Sequence, residues 1–415
     1  MIIKQKTIKI DVGFYNGVEK QKLLKYPTAG ALEKIVSQPL LISTGEFLTL
    51  SLLHRKKSKS PLFDSYDKLK NLNGDALSIL CGLVDFNGHS ISIPSGQKLL
   101  PYITEHIGEA IGLAVINKVH GLIEADWMPI DEKPSHKTLD YSFASTGSGY
   151  IEVENKGSSN EDNSKKTSSV SKHYADIKKK KTETEAQVAA GKAISGLRYG
   201  TITVMDHNEN GNVKCWLTDP PATIQYRDPY EFKVKSRLSF FYWIISLISP
   251  RSQVTLELGN RMEVLNNSET FRELNNSPLR RRQSDENSEG NSYETGSHQL
   301  IGKYFSFMSG KSRVADGGGT IVRLSENYLM MIGIRNEVLD YIVKQSFEQL
   351  ITLNFNAGIQ ENDEISLVLS DSKITELNLS NLRGLERRGN YMEAKLPCVT
   401  HTSPSGLIYS FININ

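Results

Sequence analysis

The stretch LDYSFASTGSGYIEVENKG, residues 139–157, carries the strongest structural signal in the chain. Two runs of alternating apolar and polar residues flank a turn rich in Ser and Gly, and this pattern predicts a β-hairpin. Side chains alternate between the two faces of a strand. Asp140 and Ser142 therefore share one face of the first strand, and Glu154 and Lys156 share one face of the second.

The pairing of the two strands decides the chemistry. If Ala144 pairs with Tyr150, Asp140 lies directly opposite Glu154, with Cβ atoms about 5 Å apart. Two carboxylates at that distance repel each other unless a cation lies between them or they share a proton. Lys156 supplies positive charge on the same face, and a divalent cation with oxygen ligands beside a Lys suits phosphodiester hydrolysis. A slip of one residue would move Asp140 to the other face.

Asp140, followed by Glu154-Asn155-Lys156, resembles the motif of the PD-(D/E)xK nuclease superfamily. The resemblance covers roughly residues 100–205, in the order helix, hairpin, Lys-rich helix and strand. It implies a mixed α/β fold: a restriction-endonuclease-like core with a central mixed sheet flanked by helices, plus N-terminal and C-terminal α/β additions. It further implies that Mg²⁺ or Mn²⁺ binds Asp140, Glu154 and the carbonyl group of Asn155, while Lys156 orients or activates the attacking water.

A helix predicted over residues 101–119 precedes the hairpin. The family often contributes one catalytic acid from this helix, and Glu109 is the best match by position. Glu105 and Glu124 are alternatives to it. The ordinary alternative for Glu109 itself is an exposed helical glutamate.

A Lys-rich helical pattern follows the hairpin, at residues 172–197. Between positions 165 and 192 there are eight Lys residues against three acids, a local excess that favours contact with a polyanion. The residues predicted to bind nucleic acid are Lys172, Lys178, Lys179, Lys180, Lys181 and Gln187. Gln187 lies where some of these nucleases carry a motif glutamine, although the tyrosine that usually follows it is absent. The alternative is a solvated helix with Lys–Glu pairs spaced i, i+4.

The acid–x–Lys pattern alone is weak, because it occurs six times in the chain. Two other copies, at Glu231–Lys233 and Glu393–Lys395, also fall in predicted strands. The first lacks a clear hairpin partner, and the second leaves little chain for a following basic helix and strand. Context therefore favours Glu154.

Length and composition bound the rest of the prediction. The 415 residues predict four segments: an N-terminal α/β region (1–95), a nuclease-like core (96–265), a polar linker or mobile loop (266–299) and a C-terminal α+β domain (300–415). The three cysteines fit no zinc or redox spacing, which favours a reducing, cytoplasmic setting. The most apolar run is too short to span a bilayer, so no membrane contact is expected.

The sequence thus predicts a metal-dependent nuclease that cuts DNA in preference to RNA, in a restriction or phage-defence role. One alternative is a nucleic-acid-binding module of the same fold without catalysis. Another is a partner-binding structural protein. A homo-oligomer, or a protein partner bound through the C-terminal domain, would be compatible with each of these functions.

Overall fold

The computed structural model describes residues 3–54, 85–87, 89–94, 101–129, 141–146, 149–189, 197–207, 211–218, 229–250, 252–267, 279, 304–309, 312–355, 364–369, 371–380, 382–389 and 391–415. These residues form two compact units. The first unit contains the described residues from 5 to 240, and the second contains residues 3 and 4 and those from 241 onward. The protein is a mixed α/β protein, as the sequence predicts.

A mixed sheet organises the first unit. Its strands lie in the order β2-β1-β9-β8-β7-β6-β5, with β1–β9 and β7–β8 parallel and the other neighbours antiparallel. The strands are β1 (Thr7–Phe14), β2 (Leu40–Ser43), β5 (Met128–Pro129), β6 (Tyr141–Ser145), β7 (Tyr150–Ser159), β8 (Leu197–Met205) and β9 (Val213–Thr218). A separate small hairpin consists of β3 (Asp85–Asn87) and β4 (Ser90–Ser92).

The helices of the first unit are α1 (Gly17–Leu23), α2 (Ala29–Ser37), α3 (Thr44–Leu48), α4 (Pro101–His120), α5 (Ser168–Ala189) and α6, whose full extent is Pro229–Ile248. Side-chain caps explain two of the starts: Asn16 accepts from the N–H of Glu19, and Ser43 accepts from the N–H of Glu46. A π-helical turn (Thr49–Leu53) follows α3, and a 3₁₀ turn (Glu124–Asp126) follows α4.

Helices α4 and α5 cover opposite faces of β7 and β8. A Cβ atom added to Gly157 of β7 would lie 1.9 Å from the carbonyl oxygen of Thr104 in α4, so this close approach requires glycine. On the other face, Ile177 of α5 packs over Gly200 of β8. Because strand residues alternate, Asn155 faces α4 and Glu154 faces α5.

Two strands of the predicted N-terminal α/β region, β1 and β2, belong to the same sheet as the hairpin. The parallel pairing of β1 with β9 joins positions about two hundred residues apart in the sequence. No local sequence pattern predicts such a contact. The predicted linker at 266–299 lies outside the described residues, apart from positions 266, 267 and 279.

A half-buried histidine, His120, is the last residue of α4. The Nε2 atom of His120 lies 3.0 Å from the hydroxyl oxygen of Tyr199, whose ring meets the imidazole edge to face. Burial lowers the pKa of His120 to about 4. The folded protein therefore holds the neutral imidazole, whereas the unfolded chain takes up a proton at about pH 6.5.

We expect this histidine to make the first unit less stable in acid. The folded pKa is depressed, so the unfolded state binds more protons and stability falls as pH drops from about 6.5 towards about 4, by on the order of 2 kcal/mol. Urea unfolding of the wild type and of His120→Gln, at about pH 7 and about pH 4.5, measures this loss. The variant should lose less stability than the wild type. Equal losses would exclude His120 as the cause.

The second unit contains an antiparallel sheet that closes on itself. The strands are β10 (Tyr304–Ser309), β11 (Ser312–Arg323), β12 (Tyr328–Arg335), β13 (Glu364–Leu369), β14 (Glu386–Arg388), β15 (Tyr391–Thr402) and β16 (Leu407–Asn413). They lie in the order β13-β10-β11-β12-β16-β15-β14, and β13 also pairs with β15, which closes a ring of six strands. The helices are α7 (Gln253–Asn267), α8 (Asn336–Lys344), α9 (Phe347–Thr352) and α10 (Asp371–Glu376).

The glycine-rich run Asp316-Gly317-Gly318-Gly319 lies inside β11, where Gly319 allows the backbone of β12 to approach closely. One local prediction is wrong. Residues 231–235, expected to form a strand, lie in α6, which begins at Pro229. Proline is favourable in the first turn of a helix. The alternation of apolar and polar residues over only five positions is a weaker signal than this proline.

Candidate functional site

The candidate site is centred on Glu154 in β7. This strand lies between β6 and β8 in the sheet, and the side chain of Glu154 has no exposed surface. A buried carboxylate needs charged or hydrogen-bonding partners, because burial without them is costly. The partners of Glu154 therefore define the site.

Two lysines bind the same oxygen of Glu154. The Nζ atoms of Lys156 and Lys180 each lie 2.6 Å from Oε1 of Glu154. Lys156 lies two residues further along the same face of β7, and Lys180 reaches across from α5. The side chains of the two lysines are 23% and 29% exposed, whereas that of Glu154 is fully buried. The site therefore joins a buried carboxylate to two partly exposed lysines.

A histidine lies beside these lysines. His173 is half-buried on α5, seven residues before Lys180, and therefore on the same side of the helix. Burial lowers the pKa of His173, and the positive charge of Lys156 lowers it further. Asp176 and a hydrogen bond with the backbone of Gly157 act in the opposite direction. No motif in the sequence points to His173.

The hairpin has a bulge near its turn. Ala144 lies opposite Ile151 rather than opposite Tyr150, which corrects the predicted pairing. The register shifts between Ser142 and Ala144, and from there Ser142 lies opposite Glu152 and Tyr141 opposite Val153. One extra residue on β6 accounts for the shift. Asp140 lies outside the described residues, so its convergence with Glu154 stays a prediction. The prediction depends on the register at Tyr141 and Ser142. Tyr141 lies opposite Val153, and this is the register that the predicted pairing of Asp140 with Glu154 requires.

Several predicted residues lie on the other face of the sheet. Glu109 is buried on α4, the helix that covers the face opposite to Glu154. The side chain of Asn155 points to that face as well, and its Oδ1 atom accepts a hydrogen bond of 2.6 Å from Thr201. Of the alternatives to Glu109, Glu105 is exposed and Glu124 is fully buried in the 3₁₀ turn. The structure brings none of these side chains to the Glu154 carboxylate.

The Lys-rich helix divides into two groups of residues. Lys172, Lys178 and Lys179 are exposed, as a surface that binds nucleic acid requires. Lys180 lies instead at Glu154, and Lys181 is half-buried. The side chain of Gln187 lies outside the described residues.

The two rival copies of the motif have other surroundings. Glu231 and Lys233 lie two positions apart on helix α6, where residues at that spacing do not share a face. Glu393 lies on strand β15, as predicted, where it accepts a hydrogen bond from Ser366 and pairs with Arg388.

The described part of the site offers one carboxylate, Glu154, and the backbone carbonyl group of Asn155 as oxygen ligands for a divalent cation. No group of three or more His, Cys, Asp or Glu side chains that could hold a metal occurs among the described residues, which do not include Asp140. Within those same residues, no helix is long and apolar enough to cross a membrane. Nothing among protein-family models, curated proteins or solved structures matches this chain.

Proposed function

We propose that this protein is a metal-dependent nuclease that hydrolyses phosphodiester bonds, with DNA as its substrate in preference to RNA. The observation that carries the proposal is the arrangement at Glu154. A fully buried carboxylate and Lys156 share one face of a central strand, with their reacting atoms 2.6 Å apart. A carboxylate that binds a cation, beside an amino group that faces solvent, suits the attack of water on a phosphodiester.

The order of elements supports the same proposal. Helix α4, strands β5 to β7, helix α5 and strand β8 follow one another in the chain, in the order that the resemblance implies. The Lys-rich helix follows β7 after residues 160–167, and its Lys180 reaches the site. A role in restriction or phage defence, in a cytoplasmic setting, is part of the proposal by resemblance alone.

The metal would be Mg²⁺ or Mn²⁺, since carboxylate oxygens are their preferred ligands. Glu154, Asp140 and the carbonyl group of Asn155 would hold it. When bound, such an ion supplies charge stabilisation at the phosphate and lowers the pKa of a water molecule. Lys156 would orient that water, and Lys180 and the exposed lysines of α5 would contact the phosphate groups.

A cleavage assay tests the proposal. The full chain is incubated with supercoiled plasmid and with RNA, in buffers that contain Mg²⁺, Mn²⁺ or EDTA. We expect the plasmid to be cut with either metal and to stay intact with EDTA. Binding without cutting in every buffer would contradict the enzyme and support the binding module.

One observation favours that second function, a nucleic-acid-binding module without catalysis. Both lysines at the site bind Oε1 of Glu154, so the protein itself supplies cationic partners for this carboxylate. In such a module, the lysines of α5 would bind phosphate groups. Calorimetry with Mn²⁺ separates the two functions, because the enzyme binds the ion through Glu154 and the module does not.

Both functions predict that the exposed lysines of α5 bind nucleic acid. The double charge reversal Lys178→Glu, Lys179→Glu should weaken DNA binding at least tenfold. It should also flatten the dependence of affinity on salt by up to about 2 in slope, because fewer counterions are released. Fluorescence anisotropy with a labelled duplex, in EDTA and over a salt titration, measures both effects.

Lys34→Glu is the matched control for this reversal. Lys34 is exposed on α2, a helix that packs against α4, on the other side of the sheet. We expect a much smaller loss of affinity for this variant. If the α5 reversal changed neither the affinity nor the salt slope, the helix would be an ordinary solvated one.

A further inference from the structure

The first unit has a second notable feature, separate from the site at Glu154, in which lysines lie against aromatic rings. We name it the aromatic–lysine patch, and its members are Tyr15, Tyr174, Trp216, Lys166, Lys178 and Lys214. The rings of Tyr15 and Tyr174 are stacked, with centroids 4.0 Å apart and planes inclined by 15°. The hydroxyl group of Tyr174 donates to Glu19, which is fully buried, and this bond fixes the ring.

Each lysine of the patch lies over an aromatic face. The Nζ atom of Lys166 is 4.8 Å from the ring centroid of Tyr15 and 4.7 Å from that of Trp216. Lys214 lies 4.5 Å from the Trp216 ring, and Lys178 lies 5.3 Å from the Tyr174 ring. These distances are those of cation–π contacts. The rings therefore hold three ammonium groups close together on one surface.

These lysines have no carboxylate within ion-pairing distance among the residues that the structure describes. The acid opposite Lys214 in the register is Asp11, which accepts a hydrogen bond from Asn212 instead. Lys166 donates to the backbone carbonyl of Tyr15. Contacts with rings and carbonyls orient an ammonium group without neutralising it. The patch thus keeps its positive charge for an anionic ligand.

The patch lies on the same face of the sheet as Glu154. Lys156 of β7 pairs with Ile202 of β8, and Ile202 pairs with Trp216 of β9, so the three residues form one row across the sheet. Two strand spacings put the Cα atoms of Lys156 and Trp216 about 10 Å apart. Helix α5 runs over β8 between them, with Lys180 at Glu154 and Lys178 at the patch.

We propose that the aromatic–lysine patch binds single-stranded nucleic acid. Lys166, Lys178 and Lys214 turn away from the rings to contact successive phosphates. The ring faces that these lysines leave on Trp216 and Tyr174, which are both half-buried, are the surfaces on which unpaired bases stack. Basic side chains interleaved with aromatic rings are the general means of binding single strands, because every base has a stacking face. The inference rests on the proposed function and extends it. The aromatic–lysine patch would bind the nucleic-acid strand that flanks the cleavage site.

The test measures binding in EDTA, so that no cleavage interferes. The probes are a fluorescein-labelled oligothymidylate of about fifteen nucleotides and a labelled duplex of the same length. We expect the single strand to bind more tightly than the duplex. Lys166→Ala with Lys214→Ala should weaken single-strand binding tenfold or more and reduce the salt slope by about 1.4, since each lost contact with a single strand contributes about 0.7.

Variants of the tryptophan separate stacking from charge. Trp216→Leu removes the ring and should weaken single-strand binding about tenfold without changing the salt slope. Trp216→Phe keeps a ring and should lose less. Lys34→Ala is the control for general charge, and thermal melts check that each variant is folded. Unchanged affinity in the folded Lys166→Ala, Lys214→Ala variant would overturn the proposal. A duplex that binds as tightly and weakens equally would overturn the assignment to single strands.

The outcome is independent of cleavage. If no metal supports cutting but the patch variants lose single-strand binding, the result supports the patch as a binding site and contradicts the nuclease function. If Glu154→Gln abolishes cutting while the patch variants bind normally, the result supports the nuclease function and contradicts the patch as a binding site. A wild-type protein that does not bind the oligothymidylate would contradict the patch directly.

Discussion

Substitution of Glu154 by Gln should abolish metal-dependent cutting, with a loss of about 10²-fold or more. The change nearly conserves the shape of the side chain but removes the charge that a divalent cation needs. Lys156→Ala should cause a loss of similar size, because it removes the ammonium group beside the attacking water. Initial rates of plasmid nicking in Mg²⁺ measure both effects, and calorimetry with Mn²⁺ should show weakened binding for Glu154→Gln alone.

Neither substitution should unfold the protein. Lys156 and Lys180 are 23% and 29% exposed, so their ammonium groups can turn to water when Glu154 loses its charge. Thermal melts of the variants check this expectation. Glu393→Gln and Lys395→Ala, in the second unit, are the matched controls and should leave the nicking rate unchanged. Loss of cutting in these controls, with Glu154 dispensable, would move the active site to the other sheet.

The sequence predicted the local elements around Glu154 well. The periodicity of α4 and the alternation of β7 and β8 gave their positions to within a few residues, because each pattern extends over many residues. The hairpin itself was predicted, but its bulge was not. An extra residue such as Phe143 leaves the alternation on either side intact, so only the pairing with β7 reveals it.

The contacts that define the site were less predictable. Lys180 reaches Glu154 only because Ile177 packs over Gly200, which places α5 above β8. Neighbouring lysines in the Lys-rich run have nearly the same sequence context. This context does not predict that Lys180 contacts Glu154 while Lys178 and Lys179 are exposed. The aromatic–lysine patch depends likewise on the long-range pairing of β8 with β9. The residues 231–235 alternated like a strand but form a helix, since Pro229 begins α6.

The second large effect concerns a buried ion pair, Asp126 with Arg237, which joins the 3₁₀ turn to α6. The pair is bidentate, with Nε 2.6 Å from Oδ1 and Nη2 2.9 Å from Oδ2. The two side chains are almost fully buried. Asp126 also accepts the backbone N–H of Ile123. Burial lowers the pKa of nearby Lys233, and the charge of Asp126 acts in the opposite direction. The Asp126 carboxylate therefore interacts favourably with two cations, Arg237 and Lys233.

We expect Asp126→Leu to lower the free energy of unfolding of the first unit by about 3–5 kcal/mol, because it removes the carboxylate that accepts two hydrogen bonds from the buried Arg237 guanidinium. Arg237→Met should cost less, since Asp126 keeps Lys233 and the Ile123 N–H. Asp126→Leu combined with Arg237→Met should recover most of the loss, because an apolar pair needs no compensating charge. Urea unfolding measures all three, and Lys165→Ala, which removes an exposed pair with Asp162 in the same unit, should leave the midpoint unchanged. Additive losses in the double variant would show that Asp126 and Arg237 stabilise the unit independently of each other.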